Sequence, residues 1–270
     1  MKTLRILSLG AGVQSSTLAM LIEKGKIPMV DAAIFADTGA EPKEVLEWLE
    51  WLKTKVSYPI HVVQKGNLRD DLINSIDGKY KFLVVPLYTV NAETGKKGML
   101  RRQCTSDYKI LPVNQKVREL LGLAKGEKRK KGTKVSMMMG ISYDEMSRMK
   151  INPVKYITNE YPLVDMKWGR KDCIKWFEEN LNKTPPRSAC TFCPYKSNKE
   201  WLETKKNKEE WDKVVELDAL LRQGTRNDDQ VFLHRSCKPI DEVDFENEKN
   251  KKQLDFEFGI ENECEGMCGI

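Results

Sequence analysis

The sequence predicts an α/β protein, a doubly wound parallel sheet with a helical, cysteine-bearing C-terminal extension. Three observations carry that expectation. Strand-like and helix-like segments alternate through the first half of the chain. The first strand-to-helix junction, SLGAGVQSST at 8–17, concentrates glycines and hydroxyls. Further polar clusters follow later strands, at the end of an open parallel sheet where ligands bind.

The elements follow in order. LRILSL (4–9) reads as a strand, and SSTLAMLIEKG (15–25) as a helix ending at Gly25. VDAAIFAD (30–37) is the second strand, and PKEVLEWLEWLKTK (42–55) a helix with Pro42 near its first turn. IHVVQKG (60–66) is a third strand, LPVNQKVRELLG (111–122) a helix ending at Gly122, and VSMMMGIS (135–142) a fourth strand. This rhythm implies parallel strands joined by right-handed crossovers. The character changes near residue 165, so the expected division is a sheet domain at 1–165 and an extension at 166–270. The extension holds an amphipathic helix (WGRKDCIKWFEEN), a Pro-punctuated cysteine loop (TPPRSACTFCPYKS), one long or two short helices from residue 198, and a charged stretch before the terminal ECEGMCGI.

Composition narrows the class. Among 270 residues, 40% are hydrophobic and 32% charged, which describes a globular protein with a real core. No apolar run approaches the roughly 18 residues of a membrane helix, and the N-terminus lacks a signal-peptide profile, so the expectation is cytoplasmic, with no membrane partner. A net charge of +6 suits anionic ligands without calling for nucleic acid. The densest basic run, KGEKRKKGTK at 125–134, reads first as a solvated loop and second as a phosphate-backbone contact. Seven cysteines without a secretory signal are expected to be reduced, and their grouping suggests metal binding or thiol chemistry.

Candidate functional residues fall at the strand ends. Gly10 and Gly12 let the backbone approach a ligand closely, and Ser15, Ser16 and Thr17 lie at the start of a helix, whose free N–H groups and dipole favour a phosphate. Asp37, Thr38 and Gly39, with Glu41, offer groups for a ribose or a base edge, or make an ordinary turn. In GISYDEMSR (140–148), Gly140 ends a strand; Arg148 would clamp an oxyanion while Glu145 holds it, or the two form a surface ion pair. Lys109 and Arg118 would add positive charge, or sit solvated. His234 and Arg235 read first as structural and second as guards of an anionic substrate. Cys173 reads as core.

Four segments in order resemble the phosphoadenylylsulfate (PAPS) reductase family, within the PP-loop adenine-nucleotide group: SLGAGVQSS, FADTGAEP, CTSDYKILPVNQKV and MMGISYDEMSRMK. The similarity continues through YPLVDMKWGRKDCIKWF and covers about residues 4–195. It implies a HUP-type, Rossmann-like sheet binding an adenylyl nucleotide: ATP, adenylylsulfate (APS) or PAPS. Phosphates or sulfate would lie at Ser8, Gly10, Gly12, Ser15 and Ser16, the nucleoside near Asp37 and Gly39, and the anionic end near Arg148 and Lys109. Gln14 stands where PP-loop ATP pyrophosphatases usually carry Asp, which leans toward the reductase branch.

Some members of this family hold a [4Fe–4S] cluster on a cysteine pair followed by Cys-x-x-Cys. Here Gln103 precedes Cys104, so the tandem pair is absent; Cys104, Cys190 and Cys193 are the expected ligands, with a fourth from Cys237, Cys264, Cys268 or Cys173, or with one iron left open, as would suit a thiolation enzyme. Zinc on Cys190, Cys193, Cys264 and Cys268 is the alternative, and unligated thiols a third. The family's reductases carry a nucleophilic tail cysteine that takes the sulfonate group and yields sulfite to a dithiol partner such as thioredoxin. Cys264 or Cys268 would play that part, although the family's nearby histidine is absent. The rival activity is ATP-dependent adenylation and thiolation of a nucleic-acid base or other acceptor. A rival from another class is a non-catalytic nucleotide- or metal-binding regulator.

Overall fold

A computed structural model describes residues 3–76, 84–223 and 229–246. In chain order its elements begin β1 (Leu4–Leu9), α1 (Val13–Glu23), β2 (Ala32–Asp37), α2 (Lys43–Lys53), β3 (Ile60–Gln64) and α3 (Leu68–Ile76). Next come β4 (Tyr88–Asn91), β5 (Lys97–Met99), α4 (Leu111–Leu120), β6 (Val135–Met139) and β7 (Ile157–Glu160). The chain continues with α5 (Pro162–Asp165), α6 (Arg170–Leu181), α7 (Asn198–Lys206), α8 (Lys208–Gln223) and β8 (Asp229–Phe232). A π-helical turn, Ser106–Ile110, leads into α4, and a 3₁₀ segment, Tyr143–Arg148, follows β6.

The chain divides into two compact units, one of 1–65 and 105–189, the other taking in 66–104 and resuming at 190. Their course differs from a division at residue 165 in two ways. The excursion between β3 and Cys104 goes with the later cysteine segment, and α6 stays with the first unit because Cys173 and Phe177 belong to its core.

The first unit is built on a five-stranded, all-parallel sheet in the order β3-β2-β1-β6-β7. Both faces are covered, as parallel sheets require. Leu7, Leu9, Ala33, Phe35 and Met138 point to one side, where α1, α2 and α6 supply Leu18, Ile22, Leu49, Leu52 and Phe177. Ile6, Ile34, Ala36, Met137 and Met139 point to the other, where α4 supplies Val113 and Val117. The period of two along each strand thus sends alternate residues into two separate cores. The winding reverses between β1 and β6, which makes the carboxyl ends of those two strands the topological switch point.

The second unit carries a small antiparallel sheet in the order β5-β4-β8, with Tyr88 opposite Met99 on one side and Phe232 on the other. Helix α7 opens on a capping box: Glu200 N–H donates to Ser197 Oγ at 3.4 Å, and Ser197 N–H to Glu200 Oε2 at 2.6 Å. Asn207 separates α7 from α8, so the long amphipathic stretch is two helices. The carboxylate of Asp218, fully buried on α8, accepts from Leu233 N–H, Ile240 N–H and Arg222 Nε at 3.0–3.2 Å. It ties α8 to the segments on either side of His234. Among the described residues no helix is long and apolar enough to cross a membrane.

Phe177 is fully buried and meets the edges of Trp48 and Trp176 at 5.5 and 5.3 Å between ring centroids. Phe177→Ala is expected to cost about 3–5 kcal/mol of stability. Denaturant unfolding followed by tryptophan fluorescence measures it, since two of the affected rings are the reporters.

Candidate nucleotide site and cysteine segment

The junction after β1 is built differently from the glycine turn that its sequence implies. The residue in the left-handed region is Ala11, at φ 57°, while Gly12, the residue before α1, is extended at φ −90° and ψ −173°. Ala11 is fully buried, so surrounding packing holds a backbone conformation that a Cβ disfavours. Gly10 N–H donates to Ser15 Oγ at 3.2 Å, which folds the loop back onto the helix start. Ser16 N–H already bonds Gly12 O at 3.0 Å, leaving Val13, Gln14 and Ser15 as the first-turn residues whose N–H groups have no carbonyl four back within the helix. No acidic residue and no side-chain cap occupies that turn.

The serines are committed inward. Ser16 Oγ accepts from Trp48 Nε1 at 2.9 Å, and Thr17 donates to Val13 O at 2.8 Å. Ser15 and Ser16 are fully buried. Ser8 Oγ, near the end of β1, is buried with no hydrogen-bond partner.

Gln14 is the hub of the site. Its buried amide donates through Nε2 to Glu145 Oε2 at 3.2 Å and to Ser142 Oγ at 3.4 Å, and accepts at Oε1 from Arg170 NH1 at 3.1 Å. Glu145 in turn pairs with Arg148 NH1 at 2.7 Å, both side chains largely buried at 13% and 14% exposure. The pair is therefore not a solvated surface contact. A row of groups, Arg148–Glu145–Gln14–Arg170, links the 3₁₀ segment after β6, the start of α1 and the start of α6. Gly140 is buried at the end of β6, just before this segment. Arg170 is the residue that sequence reasoning missed; its one signal is its place directly after Trp168-Gly169, at the first position of a helix. Asp144 anchors it by accepting from Arg170 N–H at 3.2 Å, and Asp172 accepts from Gly169 N–H at 2.8 Å.

A second group forms after β2. Asp37 Oδ1 accepts from Gly39 N–H at 2.7 Å, closing a turn in which Gly39 takes φ 71°. Thr38 Oγ1 donates to Glu41 Oε1 at 3.1 Å, and Lys109 Nζ lies 3.4 Å from the same oxygen. Lys109 and Glu41 are 5% and 0% exposed at the side chain, so Lys109, from the π-helical turn, is a buried partner of a carboxylate. Arg118 instead holds the basic turn, donating to Ala124 O and Glu127 O at 3.0 and 2.8 Å. That turn is exposed, with Gly126 and Gly132 at φ 83° and 86° on either side of Lys128–Lys131.

Cys104, Cys190 and Cys193 all belong to the second unit. Cys193 N–H donates to Cys190 O at 3.1 Å, so the Cys-x-x-Cys segment closes as a tight turn; Cys190 is buried, and Cys193 and Cys104 are half-buried. Cys104 N–H donates to Val84 O at 2.9 Å. The buried Tyr88 hydroxyl has its pKa pushed up to about 12, by burial first, with Tyr195, Cys193 and Cys237 adding to the rise and Arg235 opposing it. Burial also raises the Cys237 thiol, Lys97 opposing, and its Sγ lies 3.7 Å from Arg235 O. Among the described residues, no group of three or more His, Cys, Asp or Glu side chains is arranged to hold a metal ion. Cys264 and Cys268 lie outside the described residues.

His234 is structural. Its ring is buried, edge-on to Phe245 at 5.5 Å; Nε2 meets Asn198 Oδ1 at 3.2 Å, while Nδ1 accepts from Ser236 N–H at 3.2 Å. These partners assign the neutral Nε2–H tautomer. Arg235 NH2 shares the Asn198 oxygen at 3.1 Å.

No family model matches the chain, and no curated protein matches it. Among solved structures it is similar to the crystal structure of phosphoadenylyl-sulfate (PAPS) reductase from Candida auris in its phosphate complex. The two share 16% identity over 70% of this chain and 76% of that chain, with a TM-score of 0.42.

Burial, with Arg235 and Lys238 nearby, lowers the His234 pKa to about 4 from its ordinary 6.5. The unfolded chain therefore binds a proton that the folded chain refuses between about pH 4 and 6.5. Stability from this group is complete above pH 6.5 and is lost as pH falls through that window. His234→Gln is expected to flatten the slope of unfolding free energy against pH there, with denaturant melts at several pH values as the measurement.

Proposed function

We propose that the chain binds an adenylyl nucleotide beyond the carboxyl ends of β1, β2 and β6 and acts on it as a PAPS-reductase-like enzyme of sulfur chemistry. The observation that carries this reading is convergence. The segments that resemble the family lie far apart in sequence, yet residues from 8–17, 140–148 and 168–172 join through Gln14, and residues from 35–42 and 104–117 join through Glu41. The first turn of α1 offers backbone donors and no acidic residue of its own, beside guanidinium groups aimed by Glu145 and Gln14. A phosphate or sulfate suits that end, and a nucleoside suits the β2 end.

In this reading a tail thiolate, Cys264 or Cys268, attacks the sulfur of an adenylylated sulfate. The S–O bond to the nucleotide breaks, the adenosine phosphate leaves with its electron pair, and a thiosulfonate stays on the cysteine. A dithiol partner of the thioredoxin kind then attacks that cysteine sulfur, the S–S bond breaks to release sulfite, and the partner and enzyme are left as a mixed disulfide. The partner's second thiol resolves it. Arg148 and Arg170 serve to hold the anion and steady the developing charge on the leaving phosphate. A [4Fe–4S] cluster or zinc would draw on Cys104, Cys190 and Cys193, which by themselves do not form a group arranged to hold a metal ion. The exposed basic turn at 125–134 is the feature that favours a nucleic-acid acceptor in the rival, ATP-dependent reaction.

Calorimetry of oxygen-free protein with APS, PAPS and ATP tests the reading, together with sulfite release in the presence of a dithiol and with iron, sulfide and zinc content. Binding of an adenylylsulfate with sulfite release is expected. Gln14→Glu is expected to weaken that binding about tenfold or more, because it sets a second carboxylate against Glu145 and beside the anion. Failure of the wild type to bind any of the three nucleotides would sink the proposal. Binding of ATP alone, with no sulfite, would move it to the rival reaction.

A further inference from the structure

Among the described residues, Glu41 is the one acidic side chain with a buried oxygen that accepts no hydrogen bond. Oε1 is in use by the Thr38 hydroxyl and the Lys109 ammonium, while Oε2 has no partner, although the side chain is fully buried. A buried carboxylate oxygen left in this state is costly, and its cost is relieved by any donor that arrives. Lys109 fixes the orientation by holding the other oxygen, so Oε2 is a directed acceptor rather than a mobile one.

Its position suggests the donor. Strands β1 and β2 are paired neighbours, with Leu9 opposite Phe35, so the segments that follow them lie side by side at the same end of the sheet. The segment after β1 presents the first-turn N–H groups suited to an anion. The segment after β2 presents an acceptor, which suits the uncharged end of the same ligand and repels its phosphate end. Asp37, the residue that sequence favours for this task, already gives Oδ1 to the Gly39 N–H.

We infer that Glu41 is the specificity-determining acceptor of this site: Oε2 receives a hydrogen bond from an O–H or N–H donor on the nucleoside, with Lys109 as its positioning residue. The inference rests on the nucleotide reading above. The donor is a ribose hydroxyl or the exocyclic amine of the base, and the test separates them.

Binding of adenosine 5′-monophosphate is compared with that of its 2′-deoxy and 3′-deoxy analogues and of purine riboside 5′-monophosphate, by calorimetry on the full chain. One analogue is expected to bind the wild type about tenfold or more weakly. Which one it is names the donor. Glu41→Gln is expected to bind adenosine 5′-monophosphate and that analogue alike, because its amide N–H₂ replaces the acceptor. Since Glu41→Gln also takes the charge partner from buried Lys109, Glu41→Gln/Lys109→Met is measured beside it, with thermal unfolding as the check that each is folded. The wild-type series stands without any variant. Equal affinity of the wild type for all four compounds would mean that a resident water fills Oε2, and would overturn the inference while leaving the nucleotide reading intact. Discrimination that survives in the folded variants would overturn it too. A wild type that binds none of the four overturns both.

Discussion

A parallel sheet buried on both faces has nowhere to put polar side chains except at its strand ends, and the reversal of winding between β1 and β6 decides which end. Chain segments leave those two strands in opposite directions, and in open α/β sheets the end between two such strands is where ligands bind. The loop at 10–12, the turn at 37–41 and the 3₁₀ segment at 143–148 all sit at the carboxyl ends of strands that this order makes neighbours. The arrangement follows from hydrogen-bond register and apolar burial before any functional group is considered.

Within that constraint one neutral amide keeps the site assembled. Gln14 faces a carboxylate on one side and a guanidinium on the other, and an amide is the side chain that donates to the first and accepts from the second. An aspartate here would repel Glu145 and would lack the donor. The two arginines are thereby held by opposite ends of a single bonded row, which limits how far either drifts from the helix start. The second buried pair, Glu41 with Lys109, does comparable work beside β2: it pins the π-helical turn before α4 to the end of the neighbouring strand.

The second unit is organised by buried polar groups rather than by a large sheet. Asp218 collects three donors, and Asn198 collects His234 and Arg235 while donating to Phe245 O at 3.1 Å. They hold segments whose apolar residues, Leu233, Ile240 and Phe245 among them, are buried beside these bonds. The cysteine turn at 190–193 and the Tyr88 hydroxyl with its neighbouring thiols belong to this unit.

The sequence by itself determined the first unit's architecture. Four of its five strands and the helices α1, α2, α4 and α6 were legible, because apolar runs and helical periodicity report local burial directly. The fifth strand, Ile157–Glu160, is four residues at a sheet edge with no alternation to betray it; β5 is only three residues, and β4 pairs with β8 across more than a hundred residues of chain. The candidate site was legible as a set of segments but not as a set of bonds. Only the tertiary structure decided that Ala11 and not a glycine takes the left-handed turn, that Ser16 faces Trp48, that Arg170 joins Arg148 through Gln14, and that Glu41 has a buried oxygen without a partner. The physical reason is range. Periodicity and turn chemistry act over a few residues, whereas the partner of a polar side chain is chosen by whichever distant segment packing brings within about 3 Å.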